Sequence, residues 1–148
     1  HIDQARWRDA YARELEFVRG MTGARLVDTI FFGGGTPSLM EPHTVEHVIQ
    51  KINDLWGLAD DCEITLEANP TQAESEKFLG FRTAGINRVS LGVQSLVQKD
   101  LEFLGRNHDV HQAEVAIRLA QDIFPRVSFD MIYGRPQQTE QDWTAELH

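Results

Sequence analysis

The chain is poor in the residues that build covalent frameworks and membrane spans. Among 148 residues there is one cysteine, Cys62, so no disulfide can form within the chain and no cysteine-rich zinc or iron–sulfur site can be built from it alone. A reducing compartment fits that usage. No apolar run approaches the roughly 18 residues of a transmembrane helix, and the first residues lack the charged-then-apolar order of a signal peptide. A cytoplasmic location is expected. Basic residues are also scarce: 14 Lys and Arg stand against 23 Asp and Glu, a formal net charge of -9. Non-specific nucleic-acid binding rests on Lys and Arg displacing counterions from phosphates, so this balance argues against a nucleic-acid partner.

What is present describes a folded domain. Hydrophobic residues make up 41% and charged residues 25%, too apolar a mixture for a disordered tail. A chain of this length hides about 70% of its unfolded surface, which suits one core and a single domain.

Hydrophobic periodicity gives the element order. Trp7, Tyr11, Leu15 and Val18 recur at helical spacing behind Asp3, a candidate N-cap, and Gly20 and Gly23 end the pattern. Thr29 to Phe32 then forms a short apolar run that predicts a buried strand, stopping at Gly33-Gly34-Gly35-Thr36-Pro37. Pro42 suits a first helical position, and Val45, Val48, Ile49, Ile52 and Leu55 line one stripe up to Gly57. Glu63 to Asn69 alternates with period two, setting Ile64, Leu66 and Ala68 against Thr65 and Glu67. A helix carrying Phe78 and Leu79 follows, ending near Gly85. The strand Asn87 to Gln94 splits Val89, Leu91 and Val93 from Ser90, Gly92 and Gln94. After a short helical turn through Leu101 and Leu104, Asp109 and Gln112 form a capping box for the next helix, which Pro125 closes. Arg126 to Tyr133 is a fourth strand, and a last helix starts around Thr139. Four strand–helix units at a pitch of roughly 30 residues predict an α/β fold with a parallel sheet.

Polar residues fall where such folds place their sites. Thr36, Glu67, Gln94 and Asp130 lie at or near the C-terminal ends of successive strands and would share one polar rim. The alternative is that they cap helices or bond neighbouring loops. The glycine run is neither a dinucleotide fingerprint nor a P-loop. It is either a plain tight turn or a main chain that a ligand can approach, with carbonyls free for an ammonium and amides for a carboxylate. His43-Thr44-Val45-Glu46-His47 matches a zinc-protease pattern, but a solvated helix face explains it and no third ligand is identifiable. His108 and His111 straddle an N-cap and do not read as metal ligands. Cys62 reads as a core thiol.

Five blocks in order carry a resemblance: Phe32-Gly33-Gly34-Gly35-Thr36-Pro37-Ser38-Leu39, Glu67-Ala68-Asn69-Pro70, Gly85 to Ser95, Leu104-Gly105-Arg106-Asn107-His108 and Asp130-Met131-Ile132-Tyr133-Gly134. Together they resemble the radical S-adenosylmethionine (SAM) family of oxygen-independent coproporphyrinogen III oxidases and their relatives, the haem chaperones. Ser-Leu after Thr-Pro, and Glu-Ala-Asn-Pro, look more like the chaperone branch. Gly134-Arg135-Pro136 departs from the family, which usually has Leu at the middle position. The C-x-x-x-C-x-x-C loop that holds a [4Fe-4S] cluster in this family has no counterpart in the chain.

The resemblance implies a partial (β/α) barrel with outer helices, the central part of a radical SAM core without the cluster loop and the C-terminal domain. Gly34, Gly35 and Thr36 would hold the methionine end of SAM. Glu67 would take its ammonium or a ribose hydroxyl, Gln94 and Asp130 the ribose side, and Arg106 the carboxylate. In an intact relative, cluster reduction cleaves SAM to a 5′-deoxyadenosyl radical. That radical serves oxidative decarboxylation of coproporphyrinogen III to protoporphyrinogen IX in oxidases, or accompanies haem binding in chaperones. Porphyrinogen or haem is thus the implied partner of the parent, the chain alone is expected to be inactive, and open sheet edges are expected to allow self-association. An α/β small-molecule binder without redox chemistry is the unrelated alternative.

Overall fold

The computed structural model describes residues 2–147. Asp3 caps α1 (Gln4–Thr22) by accepting from the Arg6 amide at 3.0 Å. Then follow β1 (Val27–Phe32), a single 3-10 turn (Pro37–Leu39) and α2 (Pro42–Trp56), with Pro42 at the first helical position. β2 (Leu58–Ala68) leads into two short helices, α3 (Gln72–Ser75) and α4 (Phe78–Thr83), where one continuous helix was predicted. β3 (Arg88–Gln94), α5 (Gln98–Phe103), α6 (Val110–Ile123), β4 (Arg126–Met131) and α7 (Glu140–Glu146) complete the order. The box closing the start of α6 is formed by Asp109 and Gln112, as the spacing predicts.

The four strands pair in parallel in the order β1-β2-β3-β4. Parallel pairing requires crossovers, and the helices that supply them pack on one face of the sheet. There Ile64, Leu66, Ala68, Val89, Leu91 and Val93 meet Val45, Ile49, Phe78, Phe81, Ala113, Ala116 and Ala120 in one core. Phe78 and Phe81 are fully buried, and Phe78 meets Phe124 edge-on at 5.7 Å. The opposite face is polar. Glu63 pairs with Arg88 and Arg126 at 2.9 and 2.6 Å, and Ser128 donates to Ser90 at 3.1 Å. Alternation along each strand therefore separates a helix-covered apolar face from a polar face that no helix covers.

Three expectations need correction. Among the described residues β1 lies at the edge of the sheet with one face packed: Ile30 is buried, but Phe31 is 60% exposed. A short apolar run looks the same whether one face or both are covered. No residue of α1 is buried, so Trp7 and Tyr11 form an apolar stripe left largely open, and Leu79 of α4 points outward beside buried Phe78. β4 ends at Met131, two residues before the predicted limit.

Candidate functional site

The chain leaves β1 through glycines whose backbone turns left-handed, Gly34 at φ 79° and Gly35 at φ 57°. No atom lies within 4 Å of a Cβ added at either position, so glycine is needed there for conformation rather than space. The turn brings the Gly34 amide to 3.3 Å from Glu67 Oε2. Glu67 stands on the polar face at the end of β2, two residues before Asn69, and Pro70 holds that exit extended. On β3, Ser90, Gly92 and Gln94 share the same face, and on β4 Asp130 does. Gln94 has φ 69°, a conformation that non-glycine residues rarely adopt, at a shift of register between β3 and β4. Its carbonyl stays paired, accepting from the Ile132 amide at 2.9 Å.

Arg106 reaches the site from the loop between α5 and α6. Its Nη2 donates to Asn69 Oδ1 at 2.7 Å and to the Gly92 carbonyl at 3.3 Å. Its Nε is buried without a hydrogen-bond partner among the described residues. His108, two residues on, is buried with Nε2 3.0 Å from the Val93 carbonyl. Burial pushes its imidazole below the ordinary value, so the neutral ring donates to that carbonyl and pins the loop that carries Arg106.

These groups surround one cavity of about 230 Å³. Of the seven residues expected in the site, Gly35, Thr36, Glu67, Gln94, Arg106 and Asp130 line it. Gly34 faces a neighbouring apolar groove and touches the site through its bond to Glu67. Two polar contributors went unnoticed in the sequence. Asn69 lines the cavity and orients Arg106, and its spacing of two from Glu67 was the available signal. Glu74 lies behind the cavity and had no signal, because its partners Ser38 and Asn69 meet it only through the fold.

The other candidates resolve as structural. His43 and His47 are exposed on α2, His43 lying 3.6 Å from Glu46, and no cluster of metal-ligating residues occurs among the described residues. Cys62 is buried, and burial together with Asp28 and Asp61 pushes its thiol up. Arg135, at the departure from the family pattern, is a buried hub that pairs with Glu146 and lies 3.3 Å from Asp100.

Residues 4–147 match the radical SAM superfamily. The chain belongs to that superfamily. It is 42% identical over 147 residues to radical S-adenosyl methionine domain-containing protein 1, mitochondrial, of Bos taurus, covering 99% of this chain and 33% of that protein. It is 39% identical to the heme chaperone HemW of Escherichia coli K12, over 83% of this chain and 33% of HemW. Among solved structures, coproporphyrinogen III oxidase (HemN) from Escherichia coli superposes with a TM-score of 0.83 at 26% identity, covering 97% of this chain and 33% of that one. The chain thus spans about a third of the length of the relatives it matches. Its four parallel strands with surrounding helices are the radical SAM core as seen in HemN.

The superfamily uses SAM and an iron–sulfur cluster, and the chain's residues fit the two unequally. For SAM the fit is good: an unpartnered Arg106 Nε, two carboxyl side chains and a left-handed glycine turn surround one cavity. For the cluster it fails, because the single cysteine is buried in β2 with its thiol pushed up. No membrane-length apolar helix occurs among the described residues.

Proposed function

We propose that this chain is the SAM-binding portion of a radical SAM protein of haem metabolism. The supporting observation is convergence: side chains from β2, β3, β4 and the α5–α6 loop, with the glycine turn, border one cavity. SAM carries an ammonium, a sulfonium and a carboxylate, and the cavity sets Glu67 and Asp130 against Arg106, two acidic groups for one basic group. Arg106 binds the carboxylate through Nε and its free guanidinium face. Glu67, already accepting from the Gly34 amide, takes the ammonium or a ribose hydroxyl through its remaining lone pairs. Gln94 and Asp130 hold the ribose side. When bound, SAM supplies the adenosyl group for radical chemistry; the chain's own residues bind and orient it.

The parent's further activity has two readings. The match to HemN supports a coproporphyrinogen oxidase, and the higher identity to the relatives named heme chaperone supports a haem carrier without oxidase turnover. Titration of SAM into the full-length protein and its Glu67→Ala and Asp130→Ala variants tests the site, with weaker binding expected in each; unchanged affinity removes those residues from it. Anaerobic assay with coproporphyrinogen III then separates the two activities. Turnover establishes the oxidase, and its absence together with stoichiometric haem uptake establishes the carrier.

A further inference from the structure

Behind the cavity, Glu74 of α3 is 8% exposed and both of its carboxyl oxygens are in use. Oε2 accepts from the Ser38 hydroxyl, on the turn that follows the glycines, and from the Asn69 amide at 2.7 Å. Oε1 accepts from Asn69 Nδ2 at 3.1 Å. A carboxylate can only accept, so it settles which way the Asn69 side chain faces: its NH₂ must point at Glu74 and its Oδ1 at Arg106. Oδ1 there receives Arg106 Nη2 at 2.7 Å. Glu74 lines no part of the cavity, yet it ties the glycine turn to the β2 exit and sets the acceptor that aims the guanidinium.

We propose that Glu74 is a positioning residue that confers selectivity for the aminoacyl end of the ligand, acting through Asn69 on Arg106. The proposal rests on the assignment of the cavity to SAM. In Glu74→Gln the shape is kept, but the carboxamide has a single accepting oxygen and cannot accept from both the Asn69 backbone and its side chain. The better compromise keeps the backbone bond and turns donor against donor at the Asn69 side chain. That amide then flips, presents NH₂ to Arg106 and displaces the guanidinium. Adding Asn69→Asp restores the polarity, because a carboxylate accepts from both sides.

The test measures binding of two probes to the full-length protein: SAM, and 5′-methylthioadenosine, which lacks the aminoacyl group. Glu74→Gln is expected to weaken SAM about tenfold, the scale of one misplaced hydrogen bond to a charged group, and to leave 5′-methylthioadenosine unchanged. Glu74→Gln with Asn69→Asp is expected to recover SAM affinity to within about threefold. Should Glu74→Gln fold poorly, Asn69→Ala breaks the same relay downstream and is expected to show the same selective loss. Equal weakening of both probes shows loosened structure and overturns the proposal, as does unchanged SAM affinity in Glu74→Gln or Asn69→Ala. If the unaltered protein binds 5′-methylthioadenosine but gains nothing from the aminoacyl group, the role of Arg106 falls and the proposal with it. If it binds neither probe, the SAM assignment itself falls.

Discussion

Gln94 combines a side chain at the cavity with a backbone at φ 69°, and the two can be separated by substitution. A left-handed conformation costs a residue with a Cβ about 1–2 kcal/mol. Glycine escapes that cost but loses about 0.4–1 kcal/mol more chain entropy on folding. The neighbouring structure is indifferent to the change, since the Gln94 contact with β4 is made by its carbonyl, which accepts from Ile132. Gln94→Ala keeps the strain and removes the amide; Gln94→Gly removes both. The glycine variant is expected to be more stable than the alanine variant by roughly 0.5–1 kcal/mol in urea unfolding, or about 2–4 °C in Tm for each kcal/mol. Both are expected to lose SAM affinity equally. A glycine variant no more stable than the alanine variant would refute the strain, and undiminished SAM binding in both would remove the side chain from the site.

Two further outcomes concern stability. Phe78→Ala empties a fully buried position in the core and is expected to cost about 3–5 kcal/mol in chemical denaturation; a cost under about 1 kcal/mol would show that the helices collapse into the gap. Burial raises the Glu146 carboxyl, but Arg135, the Ser95 hydroxyl and the Leu96 amide outweigh it and hold it below the ordinary carboxylate value. The stability this lowered group contributes is complete above the unfolded value of about 4.3 and disappears as pH falls through the lower folded value. Protection of α7 amides, taken relative to the intrinsic exchange rate at each pH, should therefore fall on acidification below about pH 4, and in Glu146→Gln at neutral pH; equal protection in both proteins at pH 7 would show that α7 is held by something else.

Local chemistry made much of the fold legible. The Asp109–Gln112 box, Pro42 at a helix start and Gly57 at φ 81° past its end are decided by nearest neighbours. So is the alternation of β2 that turns Glu67 away from Ile64 and Leu66. What escaped depends on residues distant in sequence. Whether β1 is edge or interior is settled by what lies beside it, and Phe31 carries no mark of that. The bond from Arg106 to Asn69 spans 37 positions and the bond from Ser38 to Glu74 spans 36, so no window along the chain contains either pair. Arg135 illustrates the reverse problem: a charged residue in a loop suggests solvent, yet Glu146 and Asp100 take it inside.

The buried thiol of Cys62 also makes the molecule convenient to tag. Maleimides consume thiolates, and a shielded sulfur with a raised pKa supplies few of them. A cysteine engineered at an exposed position outside the cavity, Gln137 for instance, would accept a fluorophore with little competing background from this chain. Ligand capture could then be followed by emission without first removing Cys62.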